Sequence, residues 1–427
     1  MQRQNSNAKW WGLALTLSLL IVSFHLLTRP GSTSSERVPA SPSFVESQGA
    51  IDKELLATQM GPSYQKNLFP EAIDLSFDGS TQRLDVSYSL DTAINEQMNK
   101  LLAQYHPDYG VFVAMDAKTG RIISMNSFSA SEPASGNLAL QARFPAASIF
   151  KIVTASAAID MRKAQSETVV PFNGANHTLY KRNVQDTRVN RWTRKMSMRE
   201  AFGRSVNVFF GKMGLFMVGP ENLKTYADRY LFNQPIHSDM LVEMGETRFD
   251  SQDPWSVVTA ASGFTRDTTM SPLQGAMMAA AVANDGLMME PYIVEDLRDV
   301  NGALMYEAQP RLASTVVDVR AAEELRELFH ETVRSGTSRK SFRQIVRGRA
   351  YDDVEFGGKT GSLTGTNPQG KCDWFVGYAR FGDQRIAVAA LTVNEKKWRV
   401  KSSMLAKLFF DRYLKMNKNQ AFAQNVR

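Results

Sequence analysis

Phe144-Pro145-Ala146-Ala147-Ser148-Ile149-Phe150-Lys151 sets a serine and a lysine three residues apart at the start of an apolar segment. From Ala146 to Met161 that segment is apolar on nearly every side, through Ile149, Phe150, Ile152, Val153, Ala155, Ala157, Ala158 and Ile159. Such a helix belongs in the middle of a large domain, and Pro145 suits its first position. At this spacing the two side chains share one helix face, about one turn apart. A serine becomes a useful nucleophile when a base stands within hydrogen-bond reach. A lysine serves as that base only if its surroundings keep it uncharged. Its pKa must then fall from about 10.4 to about 7 or 8, which costs its charged form roughly 4 kcal/mol.

Working outward, the flanking chain reads as α+β. Leu84 to Leu90 alternates like a strand, Asp91-Thr92 caps a helix over Ala93 to Gln104, and Val111 to Met115 with Arg121 to Met125 forms a hairpin around Asp116 to Gly120. Helices follow from Met196 to Met217 around Ser205, from Glu221 to Tyr230, from Ser271-Pro272 through Ala283, and from Ala321 to Arg334. Three strands close the domain, over Phe356 to Thr360, Asp373 to Phe381 and Arg385 to Val393, before a final helix from Ser402 to Met416. The expected fold is an antiparallel sheet flanked by helices, drawn from both ends of the domain, with a helical subdomain inserted between.

The chain has 427 residues, 43% hydrophobic and 22% charged, ample for a large core. Its net charge of +7 is spread without a long basic run, which argues against nucleic-acid binding. The single cysteine, Cys372, excludes an intramolecular disulfide, and five scattered histidines offer no metal-ligand spacing, so no metal or cofactor is expected. Trp10 to Thr28 carries no formal charge. As a helix it spans roughly 28 Å, close to the bilayer core of about 30 Å. Arg3 and Lys9 precede it without an acid, and Trp10 and Trp11 suit a membrane interface. It reads as an uncleaved anchor with the bulk of the chain exported. The alternative, a cleaved signal peptide with Val38-Pro39-Ala40 as processing site, has too long an apolar core. The expected division is tail and transmembrane anchor over 1–29, a Ser/Pro/Gly-rich linker over 30–82 with a little helix around Asp52 to Met60, one domain over 83–416, and a tail over 417–427.

Two further short patterns join Ser148 and Lys151: Ser205-Val206-Asn207 in the helical insert, and Lys359-Thr360-Gly361 on a strand after Gly357-Gly358. Each pattern has decoys. Ser63-Tyr64-Gln65-Lys66 lies in the expected linker, Lys118-Thr119-Gly120 in a hairpin turn, and Ser124-Met125-Asn126 and Ser135-Gly136-Asn137 belong to no ordered set. Ser-x-x-Lys, Ser-Asp-Asn and Lys-Thr-Gly in this order are the signature of β-lactamases and penicillin-binding proteins; here Val206 replaces the aspartate. At these residues, and along Asp116 to Met125, Met198 to Phe210, Met270 to Gln274, Ala283 to Gly286 and Asp373 to Tyr378, the chain resembles the transpeptidase domain of penicillin-binding proteins.

The resemblance implies acyl transfer on peptides ending in D-Ala-D-Ala, with β-lactams as inhibitors. It implies Ser148 as nucleophile, Lys151 as base, Ser205 as proton relay, and Asn207 as a contact to the peptide and to Lys151. Lys359, Thr360 and Ser362 would receive the terminal carboxylate. Gly361 would keep the strand open for a peptide added alongside. The backbone N–H groups of Ser148 and Ser362 would form the oxyanion hole. Trp374 reads as core. The expected activity is a D,D-transpeptidase cross-linking peptidoglycan stem peptides from the outer face of a bacterial inner membrane. A separate glycosyltransferase is the expected partner, because only about fifty residues lie between anchor and domain. A D,D-carboxypeptidase, a β-lactamase and a penicillin sensor share the fold and stay open as alternatives. The anchor favours wall synthesis over a secreted β-lactamase, as does Asn207.

Overall fold

The computed structural model describes residues 51–132, 135–185 and 188–425. All belong to one unit, and the expected anchor at Trp10 to Thr28 lies outside the described residues. Among the described residues no helix is long and apolar enough to cross a membrane.

A five-stranded antiparallel sheet organises the unit. Its strands are β1 (Tyr109–Asp116), β2 (Ile122–Ser129), β3 (Glu355–Thr366), β4 (Gln369–Phe381) and β5 (Gln384–Asn394), in the spatial order β3-β4-β5-β1-β2. The two ends of the domain meet where β5 pairs with β1, from Ile386 opposite Asp116 to Val393 opposite Tyr109. The period of two is visible in the core. Val111, Val113 and Met115 of β1 face one hydrophobic cluster, while Phe112 and Ala114 face another. Helices cover both faces, so the central strands read as continuous apolar runs rather than alternating ones.

Seven helices matter for the site: α1 (Lys53–Gln65), α2 (Thr92–Tyr105), α3 (Lys151–Asp160), α4 (Asn207–Met213), α5 (Pro272–Ala283), α6 (Val319–Arg334) and α7 (Ser402–Asn425). α5 is buried at every residue. It starts where the Ser271 hydroxyl accepts a hydrogen bond from Gln274 N at 3.1 Å, with Pro272 in the first position that tolerates a missing N–H. α2 and α7 cover the opposite face, with Phe409 of α7 5.0 Å from Phe112 of β1 between ring centroids. α6 is amphipathic as expected, capped by Asp318 and packed through Leu325, Leu328 and Phe329. The α+β architecture, with a helical insert between β2 and β3, is the one the sequence predicts.

Two local expectations are corrected. The stretch 30–82 is not a linker throughout. From Lys53 it carries α1, whose Leu56, Met60 and Tyr64 are buried, and then strands Ala72–Phe77 and Ser80–Tyr88. These two strands pair with each other, Ser80–Tyr88 pairs on its other side with Val294–Asp299, and that strand pairs with Leu304–Glu307, in a four-stranded second sheet. The decoy Ser63-Tyr64-Gln65-Lys66 therefore ends a packed helix. Pro145 does not open the long helix either. It pairs as a strand residue with Thr269, and the chain enters α3 through a 3₁₀ turn over Ala147–Phe150.

Candidate active site

That 3₁₀ turn decides how Ser148 meets Lys151. In a 3₁₀ turn side chains at i and i+3 eclipse, closer than on an α-helix. Ser148 lies in the turn and Lys151 is the first residue of α3; Lys151 Nζ stands 2.6 Å from Ser148 Oγ. The turn is set up by Ala147, a non-glycine residue at φ 49°, a left-handed conformation that costs about 1 kcal/mol or more. Gly263 holds it from outside: at φ +63°, a Cβ there would come 1.9 Å from the Ala147 carbonyl oxygen. Gly263→Ala is expected to lower the rate of acylation by β-lactam about tenfold or more by displacing Ser148, measured by stopped-flow labelling.

Lys151 is fully buried, and its amine has two further partners, Asn207 Oδ1 at 2.8 Å and the Ser262 carbonyl oxygen at 2.5 Å. Burial first, and the charge of Lys359 second, hold its pKa well below the ordinary lysine value. Asn207 is oriented by its own contacts. Its side-chain amide donates to the His177 carbonyl at 3.0 Å and its backbone N–H to the Asn176 carbonyl at 2.8 Å, which turns Oδ1 toward the lysine.

Ser205 sits in the break between the short helix Met198–Gly203 and α4, at φ 55°. A continuous helix was expected here; the left-handed residue instead aims the hydroxyl at β3. Lys359 Nζ donates to Ser205 Oγ at 3.0 Å and to the Thr360 carbonyl at 2.7 Å, and lies 5.3 Å from the centre of the Phe202 ring. Burial brings its pKa down to about 7.

β3 is the outermost strand of the main sheet, so one side of its backbone is unpaired within the sheet. Gly361 lets the Ser148 turn approach it: a Cβ there would meet Ile149 Cγ1 at 3.1 Å and the Ala146 carbonyl at 3.3 Å. Thr360 Oγ1 lies 2.6 Å from Thr337 Oγ1, so its hydroxyl partner is a loop residue rather than a strand neighbour. Trp374 is core, fully buried, with Nε1 donating to the Pro145 carbonyl at 2.9 Å.

A cleft of about 350 Å³ gathers the three patterns: Ser148, Ser205, Asn207, Thr360, Gly361 and Ser362 line it, above the buried Lys151 and Lys359. All eight residues singled out from sequence thus converge. The structure adds His177, Gly263, Thr337, Lys371, Trp398 and Lys401 to the lining. His177 is kept below its ordinary pKa by burial and by the charges of Lys151 and Lys359. A larger, more open depression of about 970 Å³, bordered by Asn173, Tyr180, Arg182 and Trp192, holds none of the ordered set.

A family model described as "Penicillin binding protein transpeptidase domain" matches residues 110–414. Stage V sporulation protein D of Bacillus subtilis is 25% identical over 339 residues, covering 75% of this chain and 50% of that protein. Peptidoglycan D,D-transpeptidase PbpA of Mycolicibacterium smegmatis is 27% identical over 317 residues, covering 67% and 62%. The chain therefore spans half to three fifths of the length of these relatives. The solved D,D-transpeptidase domain of a peptidoglycan glycosyltransferase from Eggerthella lenta shares the fold, with a TM-score of 0.64 at 21% identity, over 87% of this chain and 92% of that one. With a match over most of its length and the ordered serine, lysine and asparagine in one cleft, the chain belongs to the penicillin-binding protein transpeptidase domain family.

Proposed function

We propose that this protein is a serine D,D-transpeptidase of peptidoglycan synthesis, with its catalytic unit, from Lys53 onward, held outside the inner membrane by an anchor at residues 10–28. The observation that carries this reading is the environment of one amine. Lys151 Nζ has two carbonyl oxygens, from Asn207 and Ser262, and one hydroxyl, from Ser148, as its partners. A neutral amine has two N–H bonds and one lone pair. With both N–H groups on the carbonyls, the lone pair is left for the Ser148 proton.

Ser148 Oγ then attacks the carbonyl of the penultimate D-Ala while Lys151 takes its proton. The N–H groups of Ser148 and Ser362 hold the developing oxyanion. Collapse breaks the peptide bond, and the departing D-Ala amine takes the proton by way of Ser205. The acceptor amine of a second stem peptide attacks the acyl-enzyme, gives up its proton along the same path, and frees Ser148. Lys359, Thr360 and Ser362 bind the terminal carboxylate, and the donor lies along the free edge of β3 as an added strand. β-Lactams enter the same path and stop at the acyl-enzyme.

Carboxypeptidase action differs only in using water as acceptor. Purified full-length protein given lipid-linked or nascent pentapeptide polymer is expected to yield cross-linked dimers and released D-Ala together. Abundant hydrolysed tetrapeptide without cross-links overturns the transpeptidase reading in favour of the carboxypeptidase.

A further inference from the structure

The cleft continues past Ser362 to a part that the acyl-transfer machinery does not use. Lys371, Asp373, Trp398 and Lys401 line this end of the same cavity. The Lys371 and Lys401 ammonium groups lie 5.0 Å and 4.9 Å from the centre of the Trp398 ring. Two like charges are thus gathered on one indole. Among the described residues neither is within ion-pair distance of a carboxylate. The segment carrying the ring, Glu395-Lys396-Lys397-Trp398-Arg399-Val400-Lys401, adds exposed cations around a single acid. Asp373 is the one carboxylate lining the cleft: its Oδ2 accepts from Ser402 N at 2.9 Å, and it feels the charges of both Lys401 and Lys371 without pairing directly with either.

We propose that Lys371, Lys401 and Trp398 form a second anion subsite, which takes a carboxylate on the side chain of the donor residue upstream of D-Ala-D-Ala. This rests on the proposed function and deepens it. The β3–β4 register places Asp373 opposite Ser362 and Lys371 opposite Thr364. Thr364, the partner of Lys371, is therefore one side-chain repeat farther along the edge strand, roughly 7 Å from the Ser362 position. A donor whose terminal carboxylate sits at Lys359 and Thr360 runs its upstream residues in that direction. An added strand sends alternate side chains to alternate faces. The upstream side chain that turns toward Trp398 meets two ammonium groups set against one carboxylate of the cleft, Asp373, which leaves an excess of positive charge. The chemical class selected is a stem peptide with an acidic upstream side chain, such as a diamino dicarboxylic residue, over one ending in a plain amine.

The test uses full-length protein and two penicillins, benzylpenicillin and its α-carboxy analogue, which differ by one side-chain carboxylate. The second-order rate of Ser148 acylation is measured for wild type, for Lys371→Met with Lys401→Met, and for Lys371→Arg with Lys401→Arg. The methionine pair is expected to lower the α-carboxy rate about tenfold. The same pair leaves benzylpenicillin within about twofold. The arginine pair keeps the α-carboxy rate, and added salt reduces it selectively in wild type. Equal change for both penicillins, or change for neither, overturns the subsite while leaving acyl transfer intact. If wild type is acylated by neither compound, the proposed function fails, and the subsite fails with it.

Discussion

Ser148→Ala is expected to abolish covalent labelling by a fluorescent penicillin, with no detectable acyl-enzyme after prolonged incubation. The effect is total because no other hydroxyl replaces Oγ. Ser205 Oγ accepts from the Lys359 amine at 3.0 Å, and Thr360 is held to Thr337. Stability is expected to change by no more than about 1 kcal/mol. Ser148 is only partly buried, and Ala147, not Ser148, carries the unusual backbone angle. Thermal melting of the variant, run beside the labelling gel, separates loss of the nucleophile from loss of the fold. A labelled band from folded Ser148→Ala protein would remove this residue as the acyl acceptor.

Lys151→Met is expected to slow acylation at least about a hundredfold, the low end for loss of a general base. The substitution keeps the unbranched stem, so the packing around α3 is largely preserved. The pH dependence carries more information than the single rate. Burial, and then the Lys359 charge, lower the Lys151 pKa well below the ordinary lysine value, toward the uncharged form that a base requires. Protonation at lower pH removes the base, so the wild-type acylation rate falls as pH falls. On the alkaline side Lys359, brought to about 7 by burial, loses the charge that receives the carboxylate. The second-order rate in free enzyme therefore falls again as pH rises through that value. Bound carboxylate favours the charged form of Lys359 and shifts this limb upward at saturation. Lys359→Met takes a repelling charge away from Lys151, so the acid limb is expected to move to higher pH even as the overall rate drops. An acid limb that stays in place in Lys359→Met, or a near-normal rate in Lys151→Met, means that another group is the base.

Much of this site is legible in the chain because it is written in side chains at short spacings. Ser148 and Lys151, Ser205 and Asn207, and Lys359 to Ser362 each sit within one local element, and an apolar flank identifies that element. The main strands are equally plain, since both faces of the sheet are covered and the runs are long. What is not legible depends on backbone or on distant pairing. The carbonyls of Ser262 and His177 orient Lys151 and Asn207, and a carbonyl leaves no mark in residue identity. The left-handed Ser205 looks, in sequence, like any polar residue within a helix. Lys371 and Trp398 meet only through strand register and the return of the chain into α7. The helix expected around Asp52 to Met60 is present and runs on to Gln65; the misreading of the rest, to residue 82, has a different cause. Leu56, Met60 and Tyr64 repeat every four residues along one stripe, but Gly61 and Pro62 interrupt the pattern and suggest a loop.

The outermost position of β3 has a pharmacological consequence. Recognition along an unpaired strand reads main-chain atoms, and a drug that copies those atoms is handled as the natural donor is. The protein has little freedom to distinguish the two at this strand. Gly361 admits no side chain without disturbing Ile149 and Ala146, which border the nucleophile. Under the proposed function, selection for antibiotic resistance would be pushed outward, to positions such as Lys371 and Trp398 in the proposed subsite, where a drug and a stem peptide would differ.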